Sequence, residues 1–335
     1  MKISLTHTTP PTSTESPMSG DRSITRRDAV KIGLGAGAAL TLGRSTLFAE
    51  SSATHQAGAL IQRAIPSTGE KLPVVGIGTA VIYQQPEPEQ IPPLRDTLQK
   101  FPELGGRVLD TAPSYGRAES VVGDILAELK NRDKYFLATK VSVRGGGDRA
   151  AAVAQMEQSL KRLKTDKIDL MQIWNVSNPT LLAPVLDEWK KAGRIRYTGI
   201  TSSMKNAYGS LEQAMKAYKY DFVQIDLAID NRSAEERIIP LAKDLGMAVL
   251  INGPFGRNRV FTKTAGKPLP DFAKEIDATS WAQFALKYII GNPVVTAAIP
   301  GIGQVDYLVD DMAAAKGRLP DEAMRKRMAA YVDGL

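Results

Sequence analysis

The sequence predicts an α/β protein of the (β/α)8 (TIM) barrel type, with an N-terminal β-hairpin and extra helices at the C-terminus. Three observations carry this. Eight short apolar stretches between Leu72 and Gly301 read as strands. Amphipathic helical patterns alternate with them, which points to a parallel sheet covered by helices. No glycine fingerprint follows the first strand, as an open dinucleotide-binding sheet would show, and eight such units suit a closed barrel.

The elements follow in order. Met1–Asp21 is rich in Thr, Ser and Pro and is expected to be disordered. Arg26 and Arg27 then precede an apolar, Gly/Ala-rich run from Ile32 to Gly43, too short to span a bilayer permanently. Paired arginines before a weakly hydrophobic run resemble a twin-arginine export signal, with cleavage expected after Ala49 or Ala53. Within that run, Gly33–Ala38 looks like a phosphate loop but follows no strand, so it is discarded. The expected organisation is a tail and signal peptide over residues 1–53 and one barrel domain over 58–335. The mature protein is then expected in the bacterial periplasm. It has no integral membrane span after cleavage, and the twin-arginine export machinery is its transient partner.

The segments LIQRAIP and LPVVGIGTA, separated by the polar turn STGEK, predict a hairpin leading into the first inner strand. Helices are expected over 91–104, 118–131, 148–163, 181–192, 207–218, 234–245, 280–290, 305–315 and 320–332. The other seven strands are RVLDTA, YFLATKV, KIDLMQIWNV, IRYTGITSS, DFVQIDLAI, MAVLING and VVTAAIPG. A long loop over 254–277 carries Arg257, Arg259, Lys263 and Lys267, and long loops in compact domains are usually functional.

Composition removes several chemistries. There is no cysteine, which excludes disulfides, thiolate catalysis and zinc–cysteine sites. Both histidines, His7 and His55, lie near the N-terminus, so the barrel contains no His-ligated metal site and no Ser–His–Asp triad. Residues 54–335 carry a net charge of +5, spread along the chain without a basic block interleaved with aromatics. That gives no case for nucleic acid.

In a barrel the chemistry sits at the C-terminal strand ends. Those ends are Asp110 with Tyr115 just beyond it, Lys140, Trp174, residues 201–203, 224–226 and 252–255, and Pro300–Gly301. Asp110 and Lys140 on neighbouring strands should pair, since either charge alone would be costly to bury.

LDTAPSYG, LATKV, IDLMQIWN, AGRIRYTGITSS, VQIDLAID and IPG, in this order and spacing, resemble the aldo-keto reductase family over about residues 61–320. The resemblance implies a role for each matching residue. Tyr115 would be the general acid that protonates a small substrate's carbonyl oxygen, helped by the cation of Lys140, which Asp110 would hold. The cofactor would be NADP(H), with NAD(H) as the other choice. Ser202 and Gln224 would grip its carboxamide, Pro254, Phe255 and Arg257 its pyrophosphate, and the loop at Gly301 its adenosine phosphate end.

Three positions depart from the family pattern. Trp174 stands where the family's catalytic histidine is expected, Asn252 where an aromatic often stacks on the nicotinamide, and Ile302 and Gly303 where a Thr and a basic residue meet a 2′-phosphate. The last is followed by Asp306, Asp310 and Asp311. Two further readings follow. One is a non-catalytic barrel that binds a small ligand or partner outside the cytoplasm. The other, weaker, is a sugar-processing barrel using Asp110 and Asp226.

Overall fold

The computed structural model describes residues 58–143 and 146–335. The export signal expected over residues 1–53 lies outside the described residues, as do both histidines. Strands β1 (Gln62–Ala64) and β2 (Lys71–Pro73) form the expected antiparallel hairpin. Eight parallel strands follow: β3 (Ile77–Gly78), β4 (Val108–Asp110), β5 (Phe136–Val141), β6 (Ile168–Ile173), β7 (Ile195–Ser202), β8 (Phe222–Asp226), β9 (Ala248–Asn252) and β10 (Val295–Ala298). They pair in strict sequence order. The two edges meet through parallel bridges, Val75 to Ala298 and Gly78 to Gly301, which close the barrel.

The helices are α1 (Ile91–Glu103), α2 (Ala118–Leu129), α3 (Arg149–Arg162), α4 (Pro179–Lys191), α5 (Tyr208–Ala217), α6 (Ser233–Glu236), α7 (Ile238–Asp244), α8 (Arg259–Thr264), α9 (Trp281–Ile290), α10 (Val305–Ala313) and α11 (Glu322–Asp333). Side chains cap several of them as their sequences suggest. Asp148, Asn178, Ser280 and Asp321 each accept the backbone N–H three residues on. Two elements differ from expectation. The helix expected over 234–245 is broken at Arg237 into α6 and α7. Pro240 accounts for this, because its ring would clash with the carbonyl four residues back. The loop over 254–277 contains α8 and a 3-10 turn, Asp271–Ile276. Its basic residues mask a small apolar pattern, in which Val260 and Phe261 are buried and the Phe261 ring lies 4.8 Å from that of Phe255.

The main core lies between the barrel wall and the helices. A second, smaller core fills the barrel itself. It includes Val108, Phe136, Leu170, Tyr197, Phe222 and Leu250, with Ile65 and Leu72 entering from the hairpin. The rings of Phe136, Tyr197 and Phe222 pack with centroids 5.6–5.7 Å apart. Each such burial is worth about 1.5–3 kcal/mol. The barrel is therefore solid below the level at which polar side chains begin.

Candidate active site

Side chains alternate between the two faces of a strand, so the residue two positions beyond a buried inward one points inward again. Applied to the inner core, this rule lifts Val108 to Asp110, Ala138 to Lys140, Leu170 to Gln172, Phe222 to Gln224 and Leu250 to Asn252. Each step goes from an apolar layer to a polar one. The polar layer is the floor of the mouth at the C-terminal strand ends.

Lys140 is the centre of that floor. Its Nζ donates to Asp110 Oδ2 at 2.6 Å and to the Thr111 carbonyl at 2.9 Å. The ammonium also lies 5.1 Å from the Tyr115 ring centroid. Burial works against the charge of Lys140, but Asp110 and Tyr115 outweigh it, and its pKa lies above the ordinary lysine value. Asp110 and Lys140 are both buried, whereas Tyr115 is half-buried and so open to a ligand on one side. The expected ion pair and phenol are thus brought together.

The turn after β4 sets the phenol's position. Tyr115 N–H bonds the Ala112 carbonyl, and the Tyr115 carbonyl accepts from Ala118 at the start of α2. Gly116 follows at φ +50°, and a Cβ there would come within 2.6 Å of the Gln84 carbonyl. Only glycine takes that corner without moving the chain that carries Tyr115.

Asp110 has two more donors. Gln224 Nε2 reaches Oδ1 at 2.8 Å and Gln172 Nε2 reaches the same oxygen at 3.1 Å. The carboxamide role expected of Gln224 is therefore reduced to what its Oε1 can accept. Gln172 was not singled out in the sequence. The signal that could have found it is the same two-residue step that marks Asp110 and Lys140.

Trp174 begins a 3-10 turn, Trp174–Val176, immediately after β6. It is half-buried and helps line a cavity of about 240 Å³ with Pro113, Ser114, Lys140, Ser142 and Gln155. The indole walls this space and does not fill it. The lining stops at Ser114, one residue short of Tyr115. The backbone beyond Trp174 is left-handed at Asn175, Val176 and Asn178. For β-branched Val176 that conformation is strained. Asn175 N–H bonds Thr201 Oγ1, and Ser177 both donates to and accepts from the backbone of Val143, which ties this segment to its neighbours.

The residues expected to hold a cofactor lie on β7 to β10, which are adjacent in the sheet. Ser202 is buried, and its hydroxyl bonds the backbone of Met204. Asn252 is half-buried, and beyond it the chain turns through positive φ at Gly253, Gly256, Arg257 and Asn258. Pro254 and Phe255 are buried beneath that turn, and Arg257 and Gly253 are exposed on it. Gly301 is exposed on the rim. An amide, a hydroxyl, a glycine-bearing turn and an exposed guanidinium in one strip suit a nicotinamide dinucleotide's amide and pyrophosphate. The far end is different. Ile302 is buried, and a Cβ at Gly303 would meet the Ile82 side chain at 2.5 Å. Asp306 is exposed, while Asp310 accepts from Ser280 and Gln283.

Two other features carry no chemistry of this kind. A larger open depression of about 510 Å³ lies at the opposite end of the barrel, lined by Arg107, Arg132, Asp169 and Arg196 among others. Its charges are tied into ion pairs with one another and with Glu70. That end of a barrel serves stability. Asp226 accepts from Tyr208 and Asn231, and Asp110 is taken by Lys140, so these two carboxylates do not form a free pair for glycoside chemistry. Among the described residues there is no cluster of acidic or histidine side chains fit for a metal, and no helix long and apolar enough to cross a membrane.

Comparisons with known proteins agree with this geometry. The aldo/keto reductase family pattern matches residues 74–331. The aldo-keto reductase YhdN of Bacillus subtilis is 31% identical over 178 residues, 48% of this chain and 52% of that protein, so the match spans about half of the relative. Norsolorinic acid reductase B of Aspergillus parasiticus is 28% identical, covering 70% of this chain and 73% of its own. Among solved structures, the holo form of aldo-keto reductase AKR11C1 from Bacillus halodurans superposes with a TM-score of 0.65 at 22% identity, over 82% of this chain and 96% of that one. An aldo-keto reductase from Klebsiella pneumoniae in complex with NADPH gives 0.66 at 23% identity, over 82% and 95%. The match to the family pattern covers most of the barrel and takes in Asp110, Tyr115 and Lys140, and the chain belongs to the aldo/keto reductase family.

Proposed function

We propose that the protein is a nicotinamide-dependent oxidoreductase that reduces a small carbonyl compound or an activated alkene, with Tyr115 as proton donor. The observation that carries this is the placing of the Lys140 ammonium, which donates to Asp110 and to the Thr111 carbonyl and lies 5.1 Å from the centroid of the Tyr115 ring. A fixed cation beside the phenol stabilises the negative charge that grows on its oxygen as the proton leaves. Asp110 holds that cation in place and keeps its burial tolerable. The half-buried phenol is the polar group that a carbonyl oxygen entering the mouth would meet. Trp174, on the wall of the adjoining cavity, has an indole N–H that is a donor only and cannot accept or shuttle a proton.

Ser202, Gln224, Asn252, Pro254, Phe255, Arg257 and Gly301 would hold a nicotinamide dinucleotide, which would supply the hydride when bound. NADP(H) is favoured because solved relatives hold it. NAD(H) stays in the comparison because Ile302 and Gly303 are closed over and Asp306 is exposed. The test is nucleotide binding by the signal-free protein, read from tryptophan fluorescence. Both nucleotides should be titrated, and the quench should weaken in Trp174→His. A second reading, a non-catalytic ligand-binding barrel, is favoured by tryptophan in the histidine position. It is the better account if neither nucleotide at millimolar concentration raises the melting temperature.

We also propose export, from Arg26 and Arg27 ahead of the run Ile32–Gly43. Cell fractionation should find the mature chain in the periplasm and an Arg26→Lys, Arg27→Lys double variant in the cytoplasm. Equal distribution of the two would remove this reading.

A further inference from the structure

We propose that Gln172 is a positioning residue for the proton donor, acting through Asp110 and Lys140. This rests on the reading of Tyr115 as proton donor. A carboxylate offers two oxygens and about four lone-pair sites. Lys140 occupies Oδ2 of Asp110. With Gln172 gone, Oδ1 of this buried anion would keep one donor, Gln224, on one side only, and the carboxylate could turn to share both oxygens with the ammonium. The ammonium would follow, and its place beside the Tyr115 ring would be lost. Gln172 from β6 and Gln224 from β8 both donate to Oδ1, and so fix the carboxylate plane from two sides of the barrel.

The rest of the Gln172 side chain shows that this contact is kept at a cost. Gln172 has no exposed surface, and its Oε1 has no hydrogen-bond partner in the barrel. An apolar side chain of the same length would avoid that buried, unpaired acceptor. Turning the amide over does not help, because it would set Oε1 against the carboxylate of Asp110. The neighbouring strand also makes room for it. Gly199 pairs with Gln172, and a Cβ there would come within 3.0 Å of Gln172 Cγ. A position that leaves one acceptor orphaned and requires a small neighbour makes sense if the donor on the other side of the amide is needed.

The test is Gln172→Met, which keeps length and apolar volume while removing both the donor and the orphaned acceptor. The melting temperature should stay near that of the wild type. Turnover should fall about ten- to a hundredfold, the range expected when a catalytic group is displaced by a fraction of its reach. KM and nucleotide affinity should stay within about twofold, because Gln172 acts on the proton donor and not on ground-state binding. A second readout does not need turnover. The Lys140 ammonium should give an exchange-protected 15N–1H signal in the wild type, assigned by its loss in Lys140→Met. That signal should broaden or vanish in Gln172→Met. If wild-type protein reduces no carbonyl compound, the functional reading fails, and the ammonium signal alone decides the role of Gln172. An unchanged ammonium signal overturns the proposal, as does a rise in KM at constant kcat. Should Gln172→Met fail to fold, Gln172→Leu carries the same two measurements.

Discussion

Tyr115→Phe leaves the barrel folded and lowers carbonyl reduction by about 10²–10⁴-fold, the usual worth of a positioned general acid. Phenylalanine keeps the ring, which is half-buried and packs against the core beside α2. What it removes is one hydroxyl, on the ring whose centroid lies 5.1 Å from the Lys140 ammonium. Nucleotide affinity should be unchanged, because none of the residues assigned to the cofactor depends on the phenol. The measurement is steady-state turnover alongside a melting curve and a nucleotide titration on the same preparation. Unchanged turnover would place the acid elsewhere and end the mechanism.

Lys140→Met has the largest expected effect on stability. It leaves Asp110 as a buried anion facing two amides and no cation. Removing one member of a buried ion pair costs about 3–5 kcal/mol. For a domain of this size that lowers the melting temperature by roughly 10 °C. A double variant, Lys140→Met with Asp110→Leu, should recover much of the loss, because no charge is then left in the barrel. If the single and double variants melt together, the pair is not what the lysine stabilises. The pH dependence has a definite sign. The folded-state pKa of Lys140 lies above its unfolded value of 10.5. Its contribution is therefore fully present below pH 10.5 and is lost only as pH rises through the folded value. Wild-type protein should lose this part of its stability in strong alkali, and Lys140→Met should not. Both variants should also be inactive, the first because the phenol loses its cation.

The fold was legible because eight apolar strands and their helices repeat a simple pattern, and a barrel is the closed solution to it. Asp110, Tyr115 and Lys140 were legible for a related reason. A charged residue at the end of an otherwise apolar strand has few structural excuses, and two of opposite sign on neighbouring strands must meet. Gln172 was not legible in the same way. An uncharged amide inside an apolar strand reads as a tolerated core residue until its partner is known, and that partner, Asp110, is 62 residues away. The same limit applies to Gln224, whose donor turns onto Asp110 and not outward. The helix hidden in the loop at 254–277 was obscured by its basic residues, whose charges say nothing of the apolar contacts beneath them. The break at Arg237 is written in the sequence at Pro240, whose ring opposes the preceding helical turn although the apolar period runs on through it. Trp174 is placed at the end of its strand by the sequence, but only the structure shows the cavity of about 240 Å³ that it helps to line.

The central claim is that this barrel moves a hydride onto a carbonyl carbon while Tyr115 protonates the oxygen. The most direct test follows a label. Signal-free protein is given NADPH bearing deuterium at C4 of the dihydronicotinamide, or NADH labelled in the same way, with a small aldehyde or ketone. The account predicts alcohol carrying deuterium on the former carbonyl carbon, formed by the wild type and not by Tyr115→Phe. Nucleotide left unconsumed with every carbonyl or alkene offered, or alcohol formed without the label, would contradict it.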